Sequence, residues 1–70
     1  MDKLKKEGTE AYSSSNYKEA VERFSECLEL DPNNRNFNSA ILFNRASAFM
    51  QLGQQKEALK DLDKAIELND

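Results

Sequence analysis

The side chains of this chain that could do acid–base or nucleophilic chemistry are carboxylates, lysines, two tyrosines and one cysteine. Histidine, the commonest catalytic base and a common metal ligand, does not occur in the sequence. Glu19, Glu22 and Glu26 share one side of a predicted helix, but Lys18 and Arg23 are interleaved with them. Alternating charges of this kind are typical of solvated helix surfaces. We therefore interpret these carboxylates as a solvated charged face.

A second charged group has the same pattern and receives the same interpretation; it consists of Lys60, Asp61, Asp63 and Lys64. Asp31, Asn33 and Asn34 suggest a calcium-binding loop, but the glycine and the distal glutamate of that motif are missing. The sequence therefore predicts no metal, no cofactor and no enzymatic activity.

The single cysteine, Cys27, excludes a disulfide within the chain. Ala65 occupies the matching place in a second copy of the surrounding pattern, so we interpret Cys27 as a small buried packing residue rather than as a reactive thiol.

Charged residues make up 33% of the 70 residues, with a net charge of −3, and the two signs are mixed along the chain. No basic stripe indicates nucleic-acid binding, and no apolar run approaches the roughly 18 residues of a membrane span. The segment from Met1 to Lys6 lacks the apolar stretch of a signal peptide. We therefore expect no nucleic acid and no membrane as partners, and a cytoplasmic location.

A pattern that recurs after 38 positions organises the elements that carry these side chains. Lys18-Glu19-Ala20-Val21 matches Lys56-Glu57-Ala58-Leu59, and the apolar positions that follow each motif match as well. A chain that repeats itself at this length consists of two copies of one small unit, and the copies bury their apolar faces against each other. Such stacked units favour a binding scaffold over an enzyme with a pocket.

Apolar residues at helical spacing predict four helices, and no segment has the alternation of a strand. Asn16 is expected to cap the second helix together with Glu19, and Pro32 to end that helix. Gly53 permits a tight turn between the third and fourth helices. Ser15 stands at the matching position of the first copy, where we expect the same turn to be less favourable.

These positions together resemble the tetratricopeptide repeat (TPR) family, whose unit is a helical hairpin of about 34 residues. A large apolar residue precedes a small one by four positions in both copies, as Leu4 with Gly8 and Leu42 with Ala46. The second-helix positions of the family are occupied by Ala20, Phe24 and Cys27, then by Ala58, Leu62 and Ala65, and a proline, Pro32, closes the first unit. The resemblance implies an all-α fold of two antiparallel helix-turn-helix hairpins stacked as a short right-handed α-solenoid.

The spacing of the two copies exceeds the family's repeat by four residues, which we place near positions 35–38. Four residues are about one helical turn. We therefore expect the third helix to begin a turn early, near Asn34 or Asn36, with a longer loop as the alternative. The repeats are then residues 1–34 and residues 35–70.

In the TPR family the first helix of each repeat lines a concave groove, which implies peptide-binding residues on two helices: Lys5, Thr9 and Tyr12, then Phe43, Asn44 and Ser47. In TPR co-chaperones a clamp grips the C-terminal carboxylate and the last aspartate of heat-shock chaperones. Lys5 and Asn44 match clamp positions, whereas Thr9 stands where the family usually has asparagine and its hydroxyl offers a shorter donor. Lys5 as a plain surface lysine, and Asn44 bonded across the stack, are the alternatives.

The resemblance implies a non-enzymatic interaction module, a co-chaperone adaptor that binds acidic C-terminal peptides. The insert with Asn44-Arg45 resembles TPR segments of J-domain co-chaperones. Two further clamp residues belong to the first helix of a third repeat, beyond Asp70, so we expect weak peptide binding by these 70 residues alone. The alternative is self-association through the last helix, whose apolar row consists of Leu59, Leu62, Ala65 and Ile66.

Overall fold

The computed structural model describes residues 2–30 and 33–68, and within these ranges it contains four helices and no strand. The helices are α1 (Asp2–Ser13), α2 (Tyr17–Leu30), α3 (Arg35–Gln51) and α4 (Gln55–Leu68). This confirms the predicted all-α fold. Asp31 and Pro32, the predicted end of the second helix, lie outside the described residues. No helix in the described ranges combines the length and the apolar character that a membrane crossing needs.

The helices pack in the order of the chain. α1 packs against α2 and α3 against α4, so each pair forms a hairpin, and the contact of α2 with α3 joins the two hairpins. α1 and α3 touch each other only slightly. Among the described helices α4 packs against α3 alone, so the placement of α3 relative to α1 is determined mainly through α2.

Small residues bring the helices together at the positions that the repeat pattern predicted, and every one of them is buried: Gly8, Ala20, Cys27, Ala46, Ala58 and Ala65. The Cys27 side chain is a free thiol inside the main core cluster, where burial raises its pKa. A raised pKa keeps the thiol protonated and unreactive. The interpretation of Cys27 as a packing residue is confirmed.

The two hairpin turns have matching backbones. Asn16 N donates to Ala11 O (2.8 Å) in the first turn, and Gln54 N donates to Phe49 O (2.9 Å) in the second. Ser15 has a φ of 64° and Gly53 a φ of 78°. Both residues are left-handed, a conformation that glycine adopts without penalty and serine does not. The predicted difference between the two turns is confirmed.

We expect Ser15→Gly to raise the free energy of unfolding by about 0.5 kcal/mol, because the relief of strain exceeds the added entropy of the unfolded chain. The matched control is Gly53→Ser, which we expect to lower it by about 1 kcal/mol. Urea denaturation followed by circular dichroism measures both. A loss of stability in Ser15→Gly would show that the serine conformation carries no strain.

The insert forms the first turn of α3. Asn34 is the N-cap, and its side-chain oxygen accepts a hydrogen bond from the backbone N–H of Phe37 (3.2 Å). The expectation that the insert extends the third helix is confirmed, and the alternative of a longer loop is wrong. The Asn16–Glu19 pair also makes contact, through a side-chain hydrogen bond of 3.2 Å.

The extra turn of α3 also binds the end of α4, which the sequence did not reveal. The Arg35 guanidinium donates from Nε to the carbonyl of Leu68 (3.1 Å) and from Nη2 to the carbonyl of Glu67 (3.0 Å). The Ser39 hydroxyl donates to the carbonyl of Ala65 (2.9 Å). The last carbonyls of a helix lack partners within it, so these bonds close the second hairpin at its open end.

Candidate functional site

An open cleft of about 180 Å³ lies between α1 and α3. Four of the six predicted binding residues line it, Thr9 and Tyr12 from α1 and Asn44 and Ser47 from α3, together with the buried ring of Phe24 from α2. The first helices of the two repeats therefore share a concave surface, as the resemblance implied.

Two of the three hydroxyl groups of the cleft, those of Thr9 and Ser47, are engaged by their own helices. Thr9 Oγ1 donates to the carbonyl of Lys5 (2.9 Å), and Ser47 Oγ donates to the carbonyl of Phe43 (3.3 Å). A hydroxyl has a single proton but two lone pairs. In this arrangement Thr9 and Ser47 can accept hydrogen bonds from a ligand, whereas donation by Thr9, which we considered from the sequence, requires breaking its bond to Lys5.

The Asn44 side chain has its hydrogen-bonding capacity available. It is half-buried, and its amide makes no hydrogen bond within the described ranges. A bond from Asn44 across the stack, the alternative interpretation, is therefore not made by the described residues. A primary amide offers two donors and one acceptor, which suits recognition of a carboxylate or a peptide group.

Lys5 and Phe43 lie outside this cleft. Lys5 is half-buried one turn before Thr9, and its ammonium makes no ion pair with any described residue. Phe43 is 58% exposed, as expected of a groove aromatic, and lines a neighbouring depression with Asn44, Ala65 and Ile66. Asn44 thus borders both depressions, and the second one has an exposed aromatic ring.

Tyr12 has two roles in the structure. Its ring packs against the main core cluster and meets the Tyr17 ring edge-on, with centroids 5.2 Å apart and an interplanar angle of 70°. The half-buried Tyr12 also lines the cleft, so one side chain connects the core to the concave surface.

Sequence reasoning missed the strongest polar contact behind the cleft. Arg45 forms a two-pronged ion pair with Asp61, with 2.7 Å from Nε to Oδ2 and 2.7 Å from Nη2 to Oδ1. Asp61 is 6% exposed, so its interpretation as part of a solvated charged face is wrong. The interpretation failed because the Asp61 carboxylate points from α4 toward α3 rather than into solvent, and Arg45 of α3 donates two hydrogen bonds to it.

The other charged face agrees with its interpretation. Arg23 Nη1 bonds to Glu26 Oε2 at 2.7 Å, and Arg23 Nη2 lies 4.0 Å from Glu19 Oε1, at partly exposed side chains of one helix. The hydrogen bond to Glu26 raises the pKa of Arg23, so the guanidinium keeps its charge. In the described part of the chain, no group of three or more cysteine, aspartate and glutamate side chains is arranged to hold a metal ion.

Two family models, both described as tetratricopeptide repeat, match residues 8–34 and residues 39–70. Residues 35–38, where we predicted the insert, lie between the two matches.

Curated relatives match almost the whole chain. A DnaJ homolog subfamily C member 7 homolog of Schizosaccharomyces pombe is 32% identical over 99% of this chain and 14% of the relative. Human sperm-associated antigen 1 is 40% identical over 96% of this chain and 7% of the relative. A small glutamine-rich tetratricopeptide repeat-containing protein 2 of Mycosarcoma maydis is 38% identical over 97% of this chain and 18% of the relative. The chain therefore spans less than a fifth of the length of these relatives.

Proposed function

Because this chain belongs to the tetratricopeptide repeat family, a family of protein-interaction modules, we propose that it binds the acidic C-terminal peptide of a heat-shock chaperone, as a non-enzymatic co-chaperone adaptor in the cytoplasm. The observation that carries the proposal is the available amide of Asn44 in the cleft between α1 and α3. Relatives named DnaJ homologs accord with a co-chaperone role. We propose residues 1–34 and 35–70 as the two repeats.

The chemistry of the concave surface fits a carboxylate ligand. The Lys5 ammonium has three donors and the Asn44 amide has two, and hydrogen bonds from a charged donor to a carboxylate are about twice as strong as neutral ones. Phe43 and Tyr12 supply apolar contact beside these donors. The net charge of −3 opposes an acidic ligand at long range, so recognition depends on the local donors.

Titration of the ¹⁵N-labelled chain with a peptide ending in Glu-Glu-Val-Asp tests the proposal by NMR. We expect a Kd of about 1 mM, which corresponds to about −4 kcal/mol, with shifts centred on the Asn44 side chain. Loss of donors to a carboxylate should weaken binding roughly threefold or more in Asn44→Ala and in Lys5→Ala.

The controls remove exposed side chains with the same functional groups, an ammonium and a primary amide. Lys6→Ala removes a lysine next to Lys5, and Gln51→Ala removes an amide at the end of α3, so neither should change the affinity. A peptide with an amidated C-terminus should bind less tightly. Equal affinities of wild type, Lys5→Ala and Asn44→Ala would refute the proposed site.

A second function, self-association, is favoured by the apolar surface of α4. Leu59 is 58% exposed and Ile66 is 71% exposed. Their counterparts 38 positions earlier, Val21 and Leu28, are half-buried and pack against the core. The same face of the unit is thus covered in the first repeat and open in the second.

The opposite end of the stack determines how two copies could pair. Lys3, Glu7 and Glu10 are exposed there, at the positions that correspond to Ile41, Arg45 and Ala48 of α3. Head-to-tail stacking would bury these charges against apolar residues, which is unfavourable. Two copies would therefore pair through their α4 surfaces, about a twofold axis.

Sedimentation equilibrium at increasing concentration tests this second function. We expect dimerisation in the range of about 0.1–1 mM and its loss in Ile66→Glu, because the charge would be buried in the contact. The charge-reversing control Lys3→Glu, at the other end of the stack, should leave the dimer intact. A monomer throughout the range would exclude pairing through α4.

A further inference from the structure

We propose that Arg45 is a positioning residue for the peptide-binding surface: its ion pair with Asp61 orients the guanidinium, whose bond to Ser25 of α2 fixes the orientation of α3 at the turn that carries Asn44. The inference rests on the proposed peptide-binding function. In this view Arg45 contacts no ligand itself and acts through its neighbour in the chain.

The contacts of Arg45 tie α3 to two other helices. Besides the two bonds to Asp61 of α4, Arg45 Nη1 donates to Ser25 Oγ of α2 at 3.0 Å. The guanidinium carbon lies 5.6 Å from the centroid of the Phe49 ring, one turn further along α3. The two-pronged bond to Asp61 holds the planar guanidinium in one orientation, and its bond to Ser25 then restrains the rotation of α3 relative to α2.

Such a restraint acts directly on Asn44. Adjacent residues of a helix project roughly 100° apart, so Arg45 faces α2 and α4 while Asn44 borders the cleft. A rotation of α3 by about 20° would move an amide that lies about 6 Å from the helix axis by about 2 Å. Hydrogen bonds span a range of only about 0.5 Å, so that displacement would separate the amide from its ligand.

Direct contact with α1 cannot supply the same restraint, because α1 and α3 touch each other only slightly. The first repeat also has no equivalent of it. The residues that correspond to Arg45 and Asp61 are Glu7 and Arg23, both more exposed, and Arg23 bonds to glutamates of its own helix. This pair offers a matched control with the same positions in the repeat.

The test replaces the ion pair by apolar side chains. A buried ion pair replaced by apolar residues of similar volume usually leaves a protein folded, so Arg45→Met/Asp61→Leu separates stability from positioning. We expect this double variant to melt cooperatively and to bind the Glu-Glu-Val-Asp peptide at least threefold more weakly than wild type. The control Glu7→Met/Arg23→Leu should bind with unchanged affinity.

A mutant cycle with Asn44→Ala shows whether Arg45 acts through Asn44. In the Asn44→Ala background, the replacement of Arg45 and Asp61 should cause a smaller loss of affinity than in wild type, because the amide that it positions is already absent. Wild-type affinity of the double variant, or losses that simply add, would overturn the inference. If the double variant fails to fold, Arg45→Lys is measured in its place. This substitution keeps the positive charge but removes the two-pronged hydrogen bonding, so we expect the same weakening of peptide binding.

A second measurement makes failure of the inference distinguishable from failure of the proposed function. Spin labels at two exposed positions, Glu10→Cys on α1 and Met50→Cys on α3, report the separation of the helices, with Cys27→Ala so that labelling is specific. We expect a narrow distance distribution that broadens when Arg45→Met/Asp61→Leu is added. If the peptide does not bind wild type, the proposed function is wrong. A spin-label distance distribution that is unchanged in the double variant would refute the positioning role, whether or not the peptide binds.

Discussion

Asp61→Ala should lower the free energy of unfolding by about 3 kcal/mol. The substitution leaves the Arg45 guanidinium, whose side chain is 21% exposed, without the carboxylate that accepts two of its hydrogen bonds. Removal of one partner of a buried ion pair usually destabilises by 3–5 kcal/mol, and the partial exposure of Arg45 places this pair near the lower end of that range. A single core in so short a chain supplies about 3–5 kcal/mol in total, so between about 3% and half of the protein should be unfolded at 25 °C.

Urea denaturation followed at 222 nm measures this loss, and Asp63→Ala is the matched control. Asp63 is an exposed carboxylate on the same helix, so its removal should change the stability by less than about 0.5 kcal/mol. Arg45→Met/Asp61→Leu should recover most of the loss, because no charge is then left unpaired. Equal stability of Asp61→Ala and Asp63→Ala would show that the ion pair contributes nothing.

The helices and turns were predictable because they depend on local rules. Apolar spacing indicated all four helices, and the alignment of Ala20 with Ala58 revealed the insert. The start of α3 at Arg35 followed, because four extra residues before a helix are accommodated most simply as one more turn. The strained turn at Ser15 was visible because the second copy has a glycine, Gly53, at the same position.

The buried ion pair was not predictable, because the repeat pattern is the same at both of its occurrences. Arg45 and Asp61 correspond to Glu7 and Arg23, and each pair combines one acid with one base. Burial differs because α3 has α2 on one side and α4 on the other, whereas α1 packs against α2 and only slightly against α3. The position of a repeat in the stack determines how deeply each acid–base pair is buried. The sequence period is the same in both repeats and therefore does not indicate this difference in burial.

The candidate site was predictable in its location and less so in its chemistry. The family resemblance indicated which helices line the groove, and four of the six residues lie in one cleft. Whether a serine or threonine hydroxyl can donate to a ligand depends on helix geometry. Within a helix it can donate instead to the carbonyl four residues earlier, as Thr9 does to Lys5. Because the Thr9 and Ser47 hydroxyls are engaged in this way, the donors left to the cleft are the Asn44 amide and the Tyr12 phenol.

The close contact of Gly8 with Phe24 leads to the second large expected effect. A Cβ atom at Gly8 would lie 2.6 Å from Phe24 Cε1 and 2.8 Å from Cδ1, closer than real side chains approach. The Phe24 ring is 1% exposed and cannot move without disturbing the core. Gly8→Ala gains about 1 kcal/mol of helix propensity but overpacks the core by up to about 3 kcal/mol. We expect a net loss of stability of about 2 kcal/mol.

The second repeat indicates which change should compensate. There Ala46 stands at the position of Gly8, and Leu62 stands at the position of Phe24. The first helix thus has a larger residue than in the first repeat, and the second helix has a smaller one. Phe24→Leu alone should destabilise by about 1–2 kcal/mol through the cavity that it leaves. Combined with Gly8→Ala, it should fill part of that cavity with the new methyl group. We therefore expect the double variant to be more stable than the sum of the two losses by at least 1 kcal/mol.

Urea denaturation of the two single variants and the double variant measures this coupling, and Ala46→Gly is the control. Loss of the Ala46 methyl group should destabilise by about 1 kcal/mol or more, through the reduced helix propensity and lost packing. A Gly8→Ala variant that is more stable than wild type would mean that Phe24 shifts at little free-energy cost. Losses that add within about 0.5 kcal/mol would mean that the two side chains do not compete for the same space. Coupling of the expected size would instead show that each repeat fixes its helix spacing by a different pair of residues in the same place.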